Sequence, residues 1–130
     1  RIEEWIGDQP NEQRERRPAD AVMVRPRVQI GASIAIGPGK IDLLRAVERE
    51  RSISAGARAL GLTYKRAWLL IDSLNQGFGQ PVVAATAGGR GGGGATLTPL
   101  GAALVARYAA LEARLDAACG AELQALRELS

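Results

Sequence analysis

The 130-residue chain contains no histidine and a single cysteine, Cys119. No internal disulfide can form, no tetrahedral zinc ligand set is present, and catalytic triads built on histidine are excluded. Aromatic residues are scarce, with two Trp, two Tyr and one Phe. Ala, Leu and Gly therefore fill the apolar positions, which favours packed helices over a sheet-rich fold. No apolar run reaches the roughly 18 residues that a membrane span needs. The first twenty residues, RIEEWIGDQPNEQRERRPAD, lack a hydrophobic signal core. A reducing, cytoplasmic setting is the expectation from one thiol and no export signal. The length allows one compact domain plus an arm or helical extension.

What is present is an uneven charge distribution. Lys and Arg total 17 against 14 Asp and Glu, a net +3. Residues 1–39 balance to zero and residues 91–130 carry −1, whereas residues 40–90 hold +4. The basic excess includes Lys40, Arg45, Arg49, Arg51, Arg58, Lys65, Arg66 and Arg90. A local basic excess points towards a polyanionic partner, although surplus charge of this size also occurs on ordinary solvated faces.

Residues 1–24 are polar and without sustained periodicity, and read as an arm with at most one helical turn around Trp5 and Ile6. Val28, Ile30, Ile34 and Ile36 alternate around a Gly31–Ser33 turn, predicting a short strand or small hairpin. Gly37-Pro38-Gly39 suits a helix entry, and Ile41, Leu44 and Val47 recur at helical spacing to about Glu50. Ser54 is expected to cap a short second helix that runs to Leu60 and ends at Gly61. Thr63 is expected to cap a third, Tyr64 to about Gln76, with Ala67, Leu70, Ile71 and Leu74 inward and Gly77 and Gly79 closing it. Strands are predicted over Pro81–Ala85 and Ala95–Leu97, joined by a Gly-rich tip. Thr98-Pro99 then opens a long helix carrying Leu104, Tyr108, Leu111 and Leu115, weakened at Gly120.

Ala57, Gly61 and Ala67, four and six residues apart, carry the main signal. A small residue at 57 permits a close helix crossing, and Gly61 supplies a turn at positive φ. Ala67 and Ile71 pack back. These are the requirements of a helix-turn-helix, whose second helix enters the major groove; a plain helical hairpin satisfies the same spacing. Thr63, Tyr64, Lys65 and Arg66 would occupy the groove-facing end. Lys65 and Arg66 match guanine O6 and N7, while Thr63 and Tyr64 suit phosphate oxygens. A solvated surface is the other reading of the two cations. Trp68, one turn from Tyr64, is expected to be a packing residue.

The ribbon and its tip bearing Arg90 form a candidate wing that reaches the DNA backbone or minor groove. A plain flexible loop remains its alternative. Arg90 is followed by four glycines rather than the Lys-Ser/Thr ending of a phosphate-binding loop, and the tract lacks the repetition of RNA-binding RGG segments. No residue nearby can serve as a tuned acid, base or nucleophile, so an enzyme is not expected.

The runs Ser52-Ile53-Ser54-Ala55-Gly56-Ala57 and Thr63-Tyr64-Lys65-Arg66-Ala67-Trp68, then Asn75-Gln76 and the stretch Gly88 to Thr98, resemble the ModE family. These are molybdate-responsive transcription regulators whose N-terminal domain is related to that of the LysR family. The likeness covers about Gly37 to Leu115. It implies a mainly α fold with a small β-wing: a winged helix-turn-helix over 25–98, preceded by a polar arm over 1–24 and followed by a linker helix over 99–130. It further implies double-stranded DNA as partner, Ser54 near the start of the second helix, Thr63, Tyr64, Lys65 and Arg66 at the groove, and Arg90 on the wing. A homodimer would form through Leu104, Tyr108, Leu111 and Leu115. ModE proteins continue into a molybdate-binding module, whereas this sequence stops at Ser130, so neither a cofactor nor a direct molybdate site is expected. A winged-helix protein-interaction module without DNA contact is the alternative reading.

Overall fold

The computed structural model describes residues 21–89 and 92–130. Residues 1–20 of the expected arm, with Trp5 and Ile6, and Arg90, expected on the wing, lie outside the described residues. Two compact units emerge, Pro26–Val105 and a second made of 21–25 with Ala106–Ser130. The first unit includes the start of the long helix, where Gly101 lies against Val82 and Leu97.

Within the first unit, a hairpin of β1 (Val28–Ile30) and β2 (Ile34–Ile36) pairs antiparallel, with Gly31 at φ 60° in its turn. Helix α1 (Pro38–Glu50) follows, with Pro in its first turn, where the missing N–H costs nothing. Its face of Ile41, Leu43, Leu44, Ala46 and Val47 is fully buried and forms the centre of the core. Lys40, near its start, donates to the Ala35 carbonyl at 2.7 Å and to Ser73 Oγ at 3.0 Å.

Helix α2 (Ile53–Ala59) is capped by Ser52 and not by Ser54: the Ser52 hydroxyl accepts from the Ala55 N–H at 3.0 Å. Capping requires extended backbone at the cap, and Ser52 has it (φ −162°, ψ 135°) while Ser54 already lies inside the helix. Helix α3 (Tyr64–Phe78) is capped by Thr63, whose Oγ1 accepts from the Arg66 N–H at 3.0 Å. It buries Ala67, Ile71 and Leu74. Gly77 does not close this helix. It lies within it, where a Cβ would come within 3.1 Å of Ile34 Cγ1, and Gly79 at φ 71° makes the stop.

Strands β3 (Val83–Gly89) and β4 (Gly92–Leu97) pair antiparallel, Val83 opposite Leu97, with an irregularity between Thr86 and Gly89. The ribbon begins two residues later than expected and extends into the glycines. Pro81 lacks an N–H for a ladder, and the Val82 N–H is taken by Asn75 Oδ1 at 2.9 Å.

Helix α4 (Pro99–Ala118) is opened by Thr98, whose hydroxyl accepts from the Gly101 N–H at 3.1 Å and donates to the Pro81 carbonyl at 2.8 Å. In the second unit, Tyr108, Ala109 and Glu112 are buried, and Asp116 accepts from the Val24 N–H at 2.8 Å. The helix ends at Cys119, and α5 (Gly120–Arg127) continues separately.

Candidate nucleic-acid interface

The corner between α2 and α3 is a Schellman turn. Leu62 N–H donates to the Ala57 carbonyl at 2.8 Å and Gly61 N–H to the Arg58 carbonyl at 3.1 Å, with Gly61 at φ 71°. A side chain at Gly61 would carry the left-handed penalty of about 1–2 kcal/mol. Ala57 is fully buried beneath this corner. The tightest approach is one residue earlier, where a Cβ on Gly56 would lie 3.0 Å from the Val47 nitrogen of α1. Sequence spacing drew attention to Ala57 and overlooked Gly56, since nothing local marks which small residue meets the neighbouring backbone.

The corner leaves the N-terminal end of α3 uncovered. Thr63, Tyr64, Lys65 and Arg66 are all exposed, as Lys-Arg reading of a groove requires. The Thr63 oxygen accepts within the cap, so its hydroxyl hydrogen is directed elsewhere. Helix geometry leaves the first N–H groups without internal partners, and together with the macrodipole they favour an anion. Arg66 stands about 100° round the helix from Lys65, so the two cations occupy adjoining faces of α3. Ser54 is exposed near the start of α2.

Trp68 departs from expectation. It is 40% exposed, set edge-on to Tyr64 with ring centroids 6.3 Å apart and planes at 80°. The inward line of α3 is Ala67, Ile71 and Leu74, and Trp68 lies off it. That offset is legible in the sequence, and the bulk of the indole argued against it. Leu69 is 53% exposed on the same side.

The base of the wing is held at several points. Arg51 takes a left-handed conformation (φ 58°), the one non-glycine with positive φ among the described residues. Its carbonyl accepts from the Ala95 N–H of β4 at 3.0 Å. Thr98 N–H donates to the Val82 carbonyl at 3.0 Å, and Asn75 joins α3 to the same segment. Gly94 packs where a Cβ would meet Thr86 Oγ1 at 2.6 Å and the Arg51 carbonyl at 3.1 Å. That glycine therefore serves close packing at the root of the ribbon, not looseness at its tip.

On α4, Leu104 and Leu115 are half-buried, Leu111 is 37% exposed and Tyr108 is buried within its own chain. Among the described residues no group of three potential metal-ligating side chains occurs, and no helix is long and apolar enough to cross a membrane.

Residues 39–102 match the model of the bacterial regulatory helix-turn-helix proteins of the lysR family. The chain is 37% identical over 122 residues to the molybdenum transport protein ModE of Azotobacter vinelandii, covering 85% of this chain and 45% of that one. It is 49% identical over 78 residues to the molybdenum-pterin-binding protein MopB of Rhodobacter capsulatus, covering 60% and 29%. It is 42% identical over 71 residues to the DNA-binding transcriptional dual regulator ModE of Escherichia coli K12, covering 55% and 27%. The chain thus spans less than half the length of these relatives. The crystal structure of ArgP from Mycobacterium tuberculosis is similar over 67% of this chain and 30% of that one, at TM-score 0.49 and 29% identity. With its cap at Thr63, its glycine corner at 61 and its anchored wing, the segment 39–102 matches the lysR-family helix-turn-helix model, and the chain is similar to ModE proteins.

Proposed function

We propose that this protein is a sequence-specific transcription regulator that binds double-stranded DNA in the cytoplasm as a homodimer and is not an enzyme. The observation that carries the reading is the uncovered end of α3, where Thr63, Tyr64, Lys65 and Arg66 stand exposed beyond the Gly61 corner. Lys65 and Arg66 donate to guanine edges in the major groove, and Thr63, Tyr64 and Ser54 contact phosphates. Arg90 grips the flanking backbone from the wing. The relatives' names, a DNA-binding regulator among them, agree with this reading.

Dimerisation is assigned to α4. Leu111 leads, Leu104 and Leu115 flank it, and Tyr108 supports them from within its own chain. Two-fold symmetry then sets the half-sites about 34 Å apart, one turn of the duplex. No molybdate site is assigned to these residues.

Salt dependence of DNA binding tests the core of the proposal. Affinity should fall steeply with salt, with a slope near −0.9 per phosphate neutralised. No measurable affinity at low salt would refute DNA binding and leave a protein-interaction module. Sedimentation showing only monomer at micromolar concentration, with and without DNA, would refute the dimer.

A further inference from the structure

Helix α3 presents more than its basic end. Tyr64, Lys65, Trp68, Leu69 and Asp72 are all exposed and recur at i, i+1, i+4, i+5 and i+8, which places them in one strip along the helix. Three of the five are large and largely apolar, with Tyr64 55%, Trp68 40% and Leu69 53% exposed. On an isolated domain this strip leaves indole and isobutyl surface in water. Tyr64 and Trp68 meet edge-on, so the two rings form one continuous apolar surface along the helix.

The charge around the strip selects the partner. Lys65 lies in it, Arg66 is exposed next to Lys65 on the same helical turn, and Asp72 at its far end is its single carboxylate. An apolar band with a cationic rim fits a surface whose rim is anionic and whose floor carries apolar groups. The major groove has this character: phosphates line its walls, and each thymine projects a C5-methyl group onto its floor.

We infer that Trp68 and Leu69 are specificity-determining residues that recognise thymine C5-methyl groups in the major groove, one turn deeper than Lys65. This inference rests on the proposed DNA-binding function. It adds apolar readout to the hydrogen-bonding contacts of Lys65 and Arg66. It also accounts for an indole displaced from the core line of α3, where burial would otherwise favour it.

The test uses the full chain and a duplex selected by it from a random-sequence pool. Each thymine of the selected site is replaced singly by deoxyuridine, which removes only the methyl group. The wild type should lose about fourfold in affinity at one or two thymines per half-site, the effect of exposing one buried methyl. Trp68→Ala and Leu69→Ala, each checked for an unchanged thermal transition, should each erase the discrimination at one of those positions. Both should keep the salt slope. Trp68→Phe should retain part of the effect and serves as the second variant if Trp68→Ala unfolds.

A uracil scan that is identical in wild type and variants would overturn the inference while leaving DNA binding intact. So would variants that lose self-association and keep the discrimination, which would mark the strip as a protein interface. A wild type that selects no sequence would refute the proposed function, and this inference with it.

Discussion

Gly101 offers the sharpest test of how the wing is held. It is buried in the first turn of α4, and a Cβ there would overlap the Val82 carbonyl oxygen. The same Cβ would lie 3.1 Å from the Val82 carbonyl carbon and 3.4 Å from Leu97 Cβ. Judged on helix propensity alone, Gly101→Ala should stabilise the protein by up to about 1 kcal/mol. The packing predicts the opposite. Overfilling a tight site costs about 1–3 kcal/mol, and the obstacle is backbone whose carbonyl already accepts from Thr98, so the upper end applies. The net is a loss of about 2 kcal/mol, or about 8–16 °C in Tm for a unit of this size. Gly39→Ala is the control. It is exposed in the first turn of α1 with nothing near its missing Cβ, and should be neutral or stabilising by about 0.5 kcal/mol. Urea denaturation and thermal melting followed by circular dichroism give both values. A Gly101→Ala protein as stable as wild type would refute the close approach of α4 to the wing base.

Ser52→Ala should cost about 1 kcal/mol of stability through loss of the α2 cap, while Ser54→Ala should cost little; equal effects in denaturation would contradict the cap assignment. Arg66→Ala should weaken binding to a selected site by about 1–3 kcal/mol and relax preference at one base pair, whereas Arg90→Ala should weaken binding to all sequences alike. Fluorescence anisotropy on cognate and random duplexes separates the two, and identical patterns would contradict the assigned roles. Lys40 titrates below the ordinary lysine value of 10.5, first because burial penalises its ammonium and second because Arg27 repels it. Between its folded pKa and 10.5 the unfolded chain holds more protons, so wild-type stability should rise with pH across that window. Lys40→Met should remove the rise relative to wild type when urea unfolding is compared between pH 8.5 and 10.5. A parallel pH dependence in both proteins would show that Lys40 is not perturbed.

What the sequence determined by itself was whatever depends on a few consecutive residues. The Gly61 corner, the Thr63 cap, the β1–β2 hairpin and the inward line of Ala67, Ile71 and Leu74 all follow from local backbone preference and periodicity, and the structure contains each of them. The basic end of α3 was legible for the same reason, since exposure there is set by the turn that precedes it. The choice between Ser52 and Ser54 as cap was already less local. Both residues can cap, and the path of the chain out of Arg51 decided which one has extended backbone.

Tertiary structure alone decided where backbones from distant segments meet. Gly56 against Val47, Gly94 against Arg51 and Gly101 against Val82 look in the sequence like ordinary small residues or loop glycines, because the atom that forbids a side chain belongs to another element. The bond from Ala95 to the Arg51 carbonyl and that from Val82 to Asn75 set the wing beside α3 in the same way. Trp68 shows the limit from the other side. Hydrophobicity predicts burial for an indole, yet helix geometry turned it about 100° from Ala67, and the core filled with Ile71 and Leu74 instead. Composition states which side chains prefer to leave water; only the packed arrangement determines which of them have somewhere to go.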